Sequence, residues 1–411
     1  MQSGWRIGSL LGIPLFIDPS WFVIVALIAF AKGWDWQLEY TDWGGVLAWT
    51  AGLITALLLF GSVLLHELGH SLVARSQGIH VNSITLFLFG GMAALDRESK
   101  TPGEAFQVAI AGPLVSLALF CLLHLCQLEL PTHSPPAVML EQVAQINLVL
   151  GLFNLIPGLP LDGGQILKSA VWKLTDSRFQ GVHWAARMGK ALGWFAVLFG
   201  LSTLFWLQEG GGLWMMVLGW FAIQNASQYD RLTTLQEALL DLSAGQVLTR
   251  SLRVVNGSLS LGQFIETYVL GGDRFQSAVQ PVAYYAAAEG RYQGLVDVER
   301  VRWVERSLWE RLTVAEVVRP LTEVATVTEA ASIAAVIQVL ESQGLGFVTV
   351  LSPAGAVAGV IDRGDIVVAL AHRLGFPLSP EQVKQIKRDG AFPAGLNLGP
   401  IVQSLTEDLA V

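Results

Sequence analysis

Residues 46–75 read VLAWTAGLITALLLFGSVLLHELGHSLVAR, an apolar run that ends in a group of ionisable side chains. A helix needs about 20 apolar residues to cross the hydrocarbon core of a bilayer, and this run supplies that length. The stretch therefore predicts a transmembrane helix that continues as a more polar helix to Arg75. His66, Glu67 and His70 stand where the apolar run ends, and ionisable groups continuous with a span are candidates for a functional site.

The composition of the whole chain is that of a membrane protein. Of its 411 residues 53% are hydrophobic and only 14% are charged, whereas about 25% of an ordinary globular protein is charged. These values exclude a wholly soluble protein and a disordered one. The net charge of -8 gives no general attraction to nucleic acid, so we expect no nucleic-acid partner. Two cysteines are too few for a disulfide framework or a four-thiolate metal site.

Almost all of the hydrophobic excess lies before about residue 228, and the remainder has the charge density of a soluble protein. Lys and Arg concentrate in one set of loops in the first half, which the positive-inside rule assigns to the cytoplasm. The segment KGWDWQLEYTDW, residues 32–43, then becomes an external loop. With an even number of spans, both termini are cytoplasmic, and the cell membrane is the expected location. About six transmembrane helices are predicted, at residues 20–31, 46–65, 106–126, 138–156, 191–207 and 213–223.

The motif HELGH occupies residues 66–70. Residues four apart share one face of a helix, so His66 and His70 can both direct a ring nitrogen to one Zn²⁺. Glu67 is rotated about 100° from His66 and suits a general base that takes a proton from water. Chance alone gives such a motif in about one chain of this composition in a hundred. The alternative is two helix-end histidines at the headgroup level beside an ordinary carboxylate.

The motif NLIPGLPLDGG, residues 154–164, ends the fourth predicted span and contains a candidate third ligand, Asp162. A catalytic zinc has three protein ligands, and two crossings between spans two and four place Asp162 on the same side as His66. Its alternative role is the N-cap of the next helix. Asn154 can stabilise an oxyanion or, equally well on its chemistry, form a hydrogen bond between helices.

These two motifs together resemble the site-2 proteases, which are intramembrane zinc metalloproteases. SITLFLFGGMAAL, residues 83–95, resembles the membrane-associated β segment of that family, and AIAGPLVSL, residues 109–117, resembles the start of its third core helix. The resemblance covers about residues 60–170. It implies zinc ligands at His66, His70 and Asp162, a catalytic glutamate at Glu67 and a substrate-stabilising asparagine at Asn154.

The implied reaction is hydrolysis of peptide bonds in transmembrane substrates near the cytoplasmic side, as in regulated intramembrane proteolysis. The implied partners are the lipid bilayer and a transmembrane protein such as a membrane-tethered regulator. We expect the apolar strand near residues 84–89 to receive the unwound substrate by β-augmentation. A different reading is an ion transporter or channel that uses the same His and Asp cluster, although the first half shows no inverted repeat.

The soluble half repeats one pattern at residues 243–304 and 312–373: short helix, strand, amphipathic helix, hairpin and closing helix. This resembles tandem CBS domains, which often bind adenine nucleotides between the copies. The family pattern of Gly, two apolar residues, Ser or Thr, two residues and Asp matches Gly359 and Asp365, but Asp362 stands at the hydroxyl position. Asp365 is therefore the candidate cofactor-binding residue, and a purely structural or dimerising module is the alternative.

The expected fold is thus a polytopic α-helical membrane protein with a short membrane-associated β segment, followed by a soluble α/β tandem CBS pair. The expected domains are a transmembrane metalloprotease domain at residues 1–228, a linker at 229–242, the CBS pair at 243–373 and a C-terminal tail at 374–411. A nucleotide bound by the pair would regulate the protease or, in the alternative, gate the transporter. A homodimer through the CBS domains is also expected.

Overall fold

The structure is a computed structural model that describes residues 4–88, 90–207, 211–270, 283–393 and 396–409. The chain divides into two compact units, Met1–Thr233 and Thr234–Ala410. Each unit has buried apolar clusters of its own. The boundary lies inside one helix, which begins at Gly211 and ends at Asp241.

Helices dominate the first unit because long apolar runs follow residues that can cap a helix. The Asp18 carboxylate accepts a hydrogen bond from the Ser20 N–H at 2.9 Å, and the Thr101 hydroxyl accepts one from the Glu104 N–H at 3.2 Å. Both contacts satisfy backbone donors that have no partner within the helix. In chain order the helices are α1 (Pro19–Glu39), α2 (Gly44–Ser76), α3 (Pro102–Leu128), α4 (Pro135–Asn154), α5 (Asp162–Thr175), α6 (Arg178–Ser202) and α7 (Gly211–Asp241).

The described chain contains several segments that are long and apolar enough to cross a membrane. α1 extends to Glu39, so most of residues 32–43 is helical and the expected external loop is much shorter than the sequence suggested. The predicted sixth span, residues 213–223, lies near the start of α7, which is not among these apolar segments. Five segments qualify among the described residues: Pro19–Glu39, Thr41–Ser76, Pro102–Leu128, Pro135–Asn154 and Arg178–Trp206.

A four-stranded sheet accompanies these helices, in the order β1 (Trp5–Leu10), β2 (Ile13–Ile17), β3 (Val81–Phe87) and β4 (Gly90–Leu95). β2 and β3 pair in parallel, with Leu15 opposite Ile84, and β3 and β4 pair antiparallel, with Ile84 opposite Ala93. The expectation that residues 84–89 receive the substrate is therefore wrong, because β3 is bonded on both sides. Phe89 lies outside the described residues. Within this sheet, β4 is an edge strand, and its free edge faces away from β3.

The second unit is an α/β structure with two sheets, β5-β6-β7-β8 and β9-β10-β11. The larger apolar cluster forms where α11 packs against the second sheet, and Ile333, Ile337 and Leu340 are fully buried there. Its elements are α8 (Ala244–Val247), β5 (Leu252–Asn256), α9 (Leu261–Phe264), β6 (Ala283–Ala288), β7 (Arg291–Val296), α10 (Val298–Trp303), β8 (Val318–Pro320), β9 (Thr326–Thr328), α11 (Ile333–Ser342), β10 (Phe347–Leu351), β11 (Val357–Asp362), α12 (Arg363–Leu374), α13 (Pro380–Asp389) and α14 (Leu398–Leu409).

The two copies of the repeated pattern exchange backbone contacts. β8 from the second copy pairs with β7 of the first, and Thr249 from the first copy forms a bridge to Val360 in β11. The region expected as a tail supplies α13 and α14, and Leu398 and Val402 of α14 are buried in the cluster around α11. The segment expected as a linker, 229–242, lies in α7 as far as Asp241. Residues 271–282 of the first copy lie outside the described residues.

An ion-pair network joins the loop after β4 to the helices α5 and α6. The Glu98 carboxylate lies 2.5 Å from the Lys168 Nζ and 3.5 Å from the Arg178 Nε. The Lys168 side chain is only 8% exposed, so the charge of its ammonium is stabilised by the Glu98 carboxylate rather than by water. Half of the Glu98 side chain is exposed. Burial alone would raise the pKa of the Glu98 carboxyl, but the charges of Lys168 and Arg178 hold it below its ordinary value.

Replacing Glu98 by Gln should lower the Tm of the purified protein by roughly 2–4 °C at neutral pH, equivalent to about 1 kcal/mol. The lowered pKa sets the pH dependence, because the stabilisation is present above the pKa of the unfolded chain, about 4.3, and is lost as pH falls through the folded value. The Tm difference between wild type and Glu98→Gln should therefore shrink at acid pH.

The control for this pH series is Glu129→Gln, at an exposed carboxylate just after α3. It should leave Tm within the error of the measurement at every pH. A Glu98→Gln difference that stayed constant from neutral pH to acid pH would contradict an ionic role for this network.

Candidate metal centre

The two histidines of HELGH and Asp162 meet in the first unit. His66 and His70 lie on successive turns of α2, and Asp162 begins α5. The Nε2 atoms of the histidines are 3.2 Å apart, and the Asp162 Oδ2 lies 3.1 Å from the His66 Nε2 and 3.3 Å from the His70 Nε2. Three ligand atoms thus form a nearly equilateral triangle, which makes this a candidate metal centre.

This triangle fits a zinc ion. Ligands 2.0–2.2 Å from a tetrahedral zinc lie about 3.3 Å from each other, close to the spacing of all three atom pairs here. The donor set of two imidazoles and one carboxylate is also a common set at catalytic zinc sites, where a fourth position stays open. The side chains are 5% exposed for His66, 13% for His70 and 23% for Asp162, so the opening lies on the Asp162 side.

Hydrogen bonds to the other ring nitrogens orient both histidines. The His70 Nδ1 lies 2.6 Å from the Val108 carbonyl oxygen, which can only accept, so this nitrogen carries the proton. The His66 Nδ1 lies 2.9 Å from the Ser116 hydroxyl, which is fully buried. A neutral His70 then directs its Nε2 lone pair into the triangle, and His66 does the same in the tautomer whose Nδ1–H donates to the Ser116 hydroxyl. Such partners fix the tautomer and the orientation of metal-binding histidines.

The third helix approaches the histidines closely because it presents glycine there. A Cβ atom at Gly112 of α3 would overlap the Nε2 atoms of both His66 and His70. On the facing helix, a Cβ at Gly69 would lie 2.8 Å from the Val115 side chain and 3.1 Å from the Ala111 carbonyl. The glycine within HELGH therefore lets α2 contact α3, and Gly112 leaves the space that the metal centre occupies.

Asp162 reaches the histidines from an irregular turn between α4 and α5. The N-cap of α5 is Leu161, which makes no side-chain capping bond, so Asp162 is not the N-cap that the sequence left open as an alternative. A Cβ at Gly163 or Gly164 would overlap backbone carbonyl groups of the turn, which explains the glycine pair. The turn is fixed at Leu159, which is buried and whose N–H donates to the Ala185 carbonyl in α6 at 3.2 Å.

Glu67 lies between the metal centre and the edge strand. The Glu67 side chain packs against Gly91 in β4. A Cβ at Gly91 would lie 3.1 Å from the Glu67 Cδ and would overlap its Cγ, so the strand can pass this side chain only with glycine there. The carboxylate therefore lies beside the centre and next to a backbone edge.

Of the six predicted site residues, the structure brings five together. Asn154, the last residue of α4, places its Nδ2 3.5 Å from the His66 Nε2. Asp365 belongs to the second unit, at the start of α12. Sequence reasoning missed Gly112, Ser116 and the Val108 carbonyl. The run AIAGPLVSL contains the first two, and its small residues were the available signal, but a backbone carbonyl partner has no sequence signature.

Comparison with known proteins gives the family. The model of peptidase family M50 matches residues 54–134 and 129–196, which include both motifs. A protein of Synechocystis sp. named as a zinc metalloprotease is 39% identical over 370 residues, which cover 90% of this chain and 96% of that protein. The chain belongs to the M50 family of peptidases. The predicted resemblance to the site-2 proteases is thereby confirmed, and this M50 peptidase is an integral membrane metalloprotease.

Two solved structures are similar to parts of this M50 peptidase. A site-2 protease from Methanocaldococcus jannaschii is 29% identical and covers 56% of this chain and 95% of its own, with a TM-score of 0.41. The CBS domain of a bacterial CNNM/CorC family Mg²⁺ transporter, solved with ATP, is 14% identical and covers 36% of this chain and 99% of its own, with a TM-score of 0.27.

Replacing Gly112 by Ala should weaken zinc binding at least about tenfold, because the added methyl group would occupy the space of both histidine Nε2 atoms. Metal analysis of the purified protein and competition with a chelator measure this effect. The matched control is Gly103→Ala on the same helix, where a Cβ meets open space. Zinc content equal to wild type in Gly112→Ala would show that α3 does not delimit the centre.

Replacing Ser116 by Ala should lower zinc affinity by about 10–100-fold, because the His66 Nδ1 would lose its buried hydrogen-bond partner and the ring its orientation. The same chelator competition measures it. Ser71→Ala is the control, since Ser71 is a buried serine of α2 whose hydroxyl has no partner among the described residues. Equal losses in both variants would argue for a general packing effect instead.

Proposed function

We propose that this M50 peptidase holds zinc with His66, His70 and Asp162 and hydrolyses peptide bonds of transmembrane substrates. The observation that carries the proposal is the triangle of three ligand atoms 3.1–3.3 Å apart, with Glu67 beside it. When bound, zinc supplies Lewis acidity toward a water molecule and a carbonyl oxygen. The surrounding side chains supply the acid–base chemistry and the positioning.

Glu67 acts in this proposal as the general base and then as the general acid. Its carboxylate takes a proton from the attacking water and returns it to the leaving amine of the scissile bond. The Asn154 amide, 3.5 Å from the His66 Nε2, is close enough to donate to the oxyanion that forms when water adds to the carbonyl. Contact with Gly91 keeps the Glu67 side chain beside β4.

The substrate in this proposal lies along β4 rather than β3. A transmembrane helix must unwind before cleavage, because its carbonyl groups are hydrogen-bonded within the helix. An extended segment can then add to a free strand edge through backbone hydrogen bonds. β4 is the last strand of its sheet and passes Glu67 at Gly91, so its edge away from β3 pairs with no other strand of this sheet. Backbone pairing at this edge brings a scissile carbonyl beside Glu67, and it does so whatever side chains the substrate carries, because only backbone groups pair.

We also propose the arrangement in the membrane. Basic residues favour a cytoplasmic side that holds both termini, with α7 completing six spans, and the cell membrane is the proposed location. His66, Glu67 and Asp162 then stand near the cytoplasmic face, where the cut releases a membrane-tethered regulator. The membrane domain covers residues 1–228.

The soluble part, residues 243–373, is proposed to be a CBS pair that regulates the protease by binding an adenine nucleotide. Two features of the second unit support a paired module: the pairing of β8 from the second copy with β7 of the first, and a buried hydrogen bond between the Tyr285 and Thr349 hydroxyls, 2.6 Å long. Burial raises the pKa of Tyr285 to about 12, so its hydroxyl stays neutral at this contact. Asp365 is the proposed ribose ligand, and a homodimer through this module is proposed.

Replacing Glu67 by Gln should reduce cleavage about 10²–10⁴-fold and leave zinc content unchanged, because the change removes the base but no metal ligand. Membrane proteomes of cells that express wild type or Glu67→Gln should differ by the accumulation of an uncut membrane protein in the variant. The purified pair of enzymes is then assayed on that protein.

Glu141→Gln, at an exposed carboxylate of α4, is the control and should cleave like wild type. Cleavage by Glu67→Gln at the wild-type rate would overturn the proposed role. Ion flux into vesicles that survived the change would instead favour a transporter.

A further inference from the structure

The proposed ribose ligand of the second repeat is already engaged within the chain. Asp362 and Asp365 form a reciprocal capping pair at the start of α12: the Asp365 N–H donates to the Asp362 Oδ1 at 2.8 Å, and the Asp362 N–H donates to the Asp365 Oδ2 at 3.1 Å. One oxygen of Asp365 is therefore used by backbone. Its side chain is only 11% exposed, so its other oxygen needs a partner as well.

Lys387 of α13 provides that partner. Its Nζ lies 2.6 Å from the Asp365 Oδ1 and 3.3 Å from the Asp362 Oδ2. Burial alone would lower the pKa of the Lys387 ammonium, but the two carboxylates raise it above its ordinary value, so the side chain is charged at neutral pH. A Cβ at Gly364 would lie 3.2 Å from the Lys387 Cε and would overlap its Cγ, so the lysine stem rests directly on the first turn of α12.

The rest of α13 is suited to a reversible contact. The helix has ten residues, and Ser379 caps it through a hydrogen bond from the Gln382 N–H at 3.2 Å. Among its described residues only Ile386 is buried. A helix this short is marginal by itself in water, so its position depends on the few contacts that it makes. The Lys387 ion pairs are the polar part of that attachment.

We propose that α13 is an intramolecular cap on the candidate nucleotide site of the second repeat, and that Lys387 competes with the ribose of the nucleotide for Asp365. The proposal rests on the nucleotide binding proposed above. A ribose hydroxyl that donates to Asp365 needs the Oδ1 lone pairs that Lys387 now uses. Nucleotide binding therefore displaces the lysine and releases α13, which makes the C-terminal segment a reporter of occupancy.

The test is calorimetric titration of the full-length purified protein with ATP, ADP and AMP. Lys387→Met keeps an apolar stem of similar length on Gly364 but removes the charge, and it should bind the preferred nucleotide at least about fivefold more tightly than wild type. Lys384→Met, at an exposed lysine one turn earlier in α13, is the matched control and should bind like wild type. Amide hydrogen exchange over residues 380–389 of wild type should accelerate when the nucleotide is added.

Three results would overturn the cap. Equal affinity in wild type and Lys387→Met, with unchanged exchange in α13, would remove the competition but leave nucleotide binding intact. Weaker binding by Lys387→Met would make the lysine a contact of the nucleotide. Absence of heat with every nucleotide in both proteins would remove nucleotide binding and the cap together. None of these results bears on the protease assay with Glu67→Gln, which contains no nucleotide.

Discussion

The close contact between α2 and α3 is the constraint on which the metal centre depends. Two glycines lie at this contact: Gly69 lets the helix backbones approach, and Gly112 leaves room beside the histidine Nε2 atoms. Small residues allow close helix packing in membranes, where burial of apolar surface between helices gives little driving force. The same contact brings Ser116 and the Val108 carbonyl within hydrogen-bonding distance of His66 and His70. Packing and ligand orientation thus have one cause.

A hydrogen bond between buried polar groups also holds helices of the membrane unit together. The Asn147 amide of α4 donates to the Val143 carbonyl of the same helix at 2.8 Å and to the Ser62 hydroxyl of α2 at 2.9 Å. Ser62 lies one turn before His66. Such a bond between helices is worth roughly 0.6–2 kcal/mol in a bilayer. It ties α4, which ends at Asn154, to the helix that carries both histidines. Asp162 enters this arrangement only because the turn after α4 folds back.

The sequence motifs predicted the metal ligands but not the strand that lies beside them. Spacing along one helix predicted that His66 and His70 share a face, and topology predicted the side on which Asp162 lies. The receiving strand could not be assigned in this way, because the mostly apolar residues 84–87 suit an internal strand and an edge strand equally well. Pairing with β2, a strand about 70 residues earlier, makes β3 internal and leaves β4 beside Glu67. Hydrogen bonds between distant segments leave no local pattern.

The sequence by itself determined the kind of protein, its metal-binding motifs and the repeated pattern of its soluble half, because these depend on periodicity and on spacing within single helices. Only the tertiary structure decided what each site residue touches: Ser116 on His66, Gly91 on Glu67 and Lys387 on Asp365. The reason is physical, because the contacts of a side chain are set by how distant segments pack against each other. That geometry depends on the whole chain rather than on any one stretch of it.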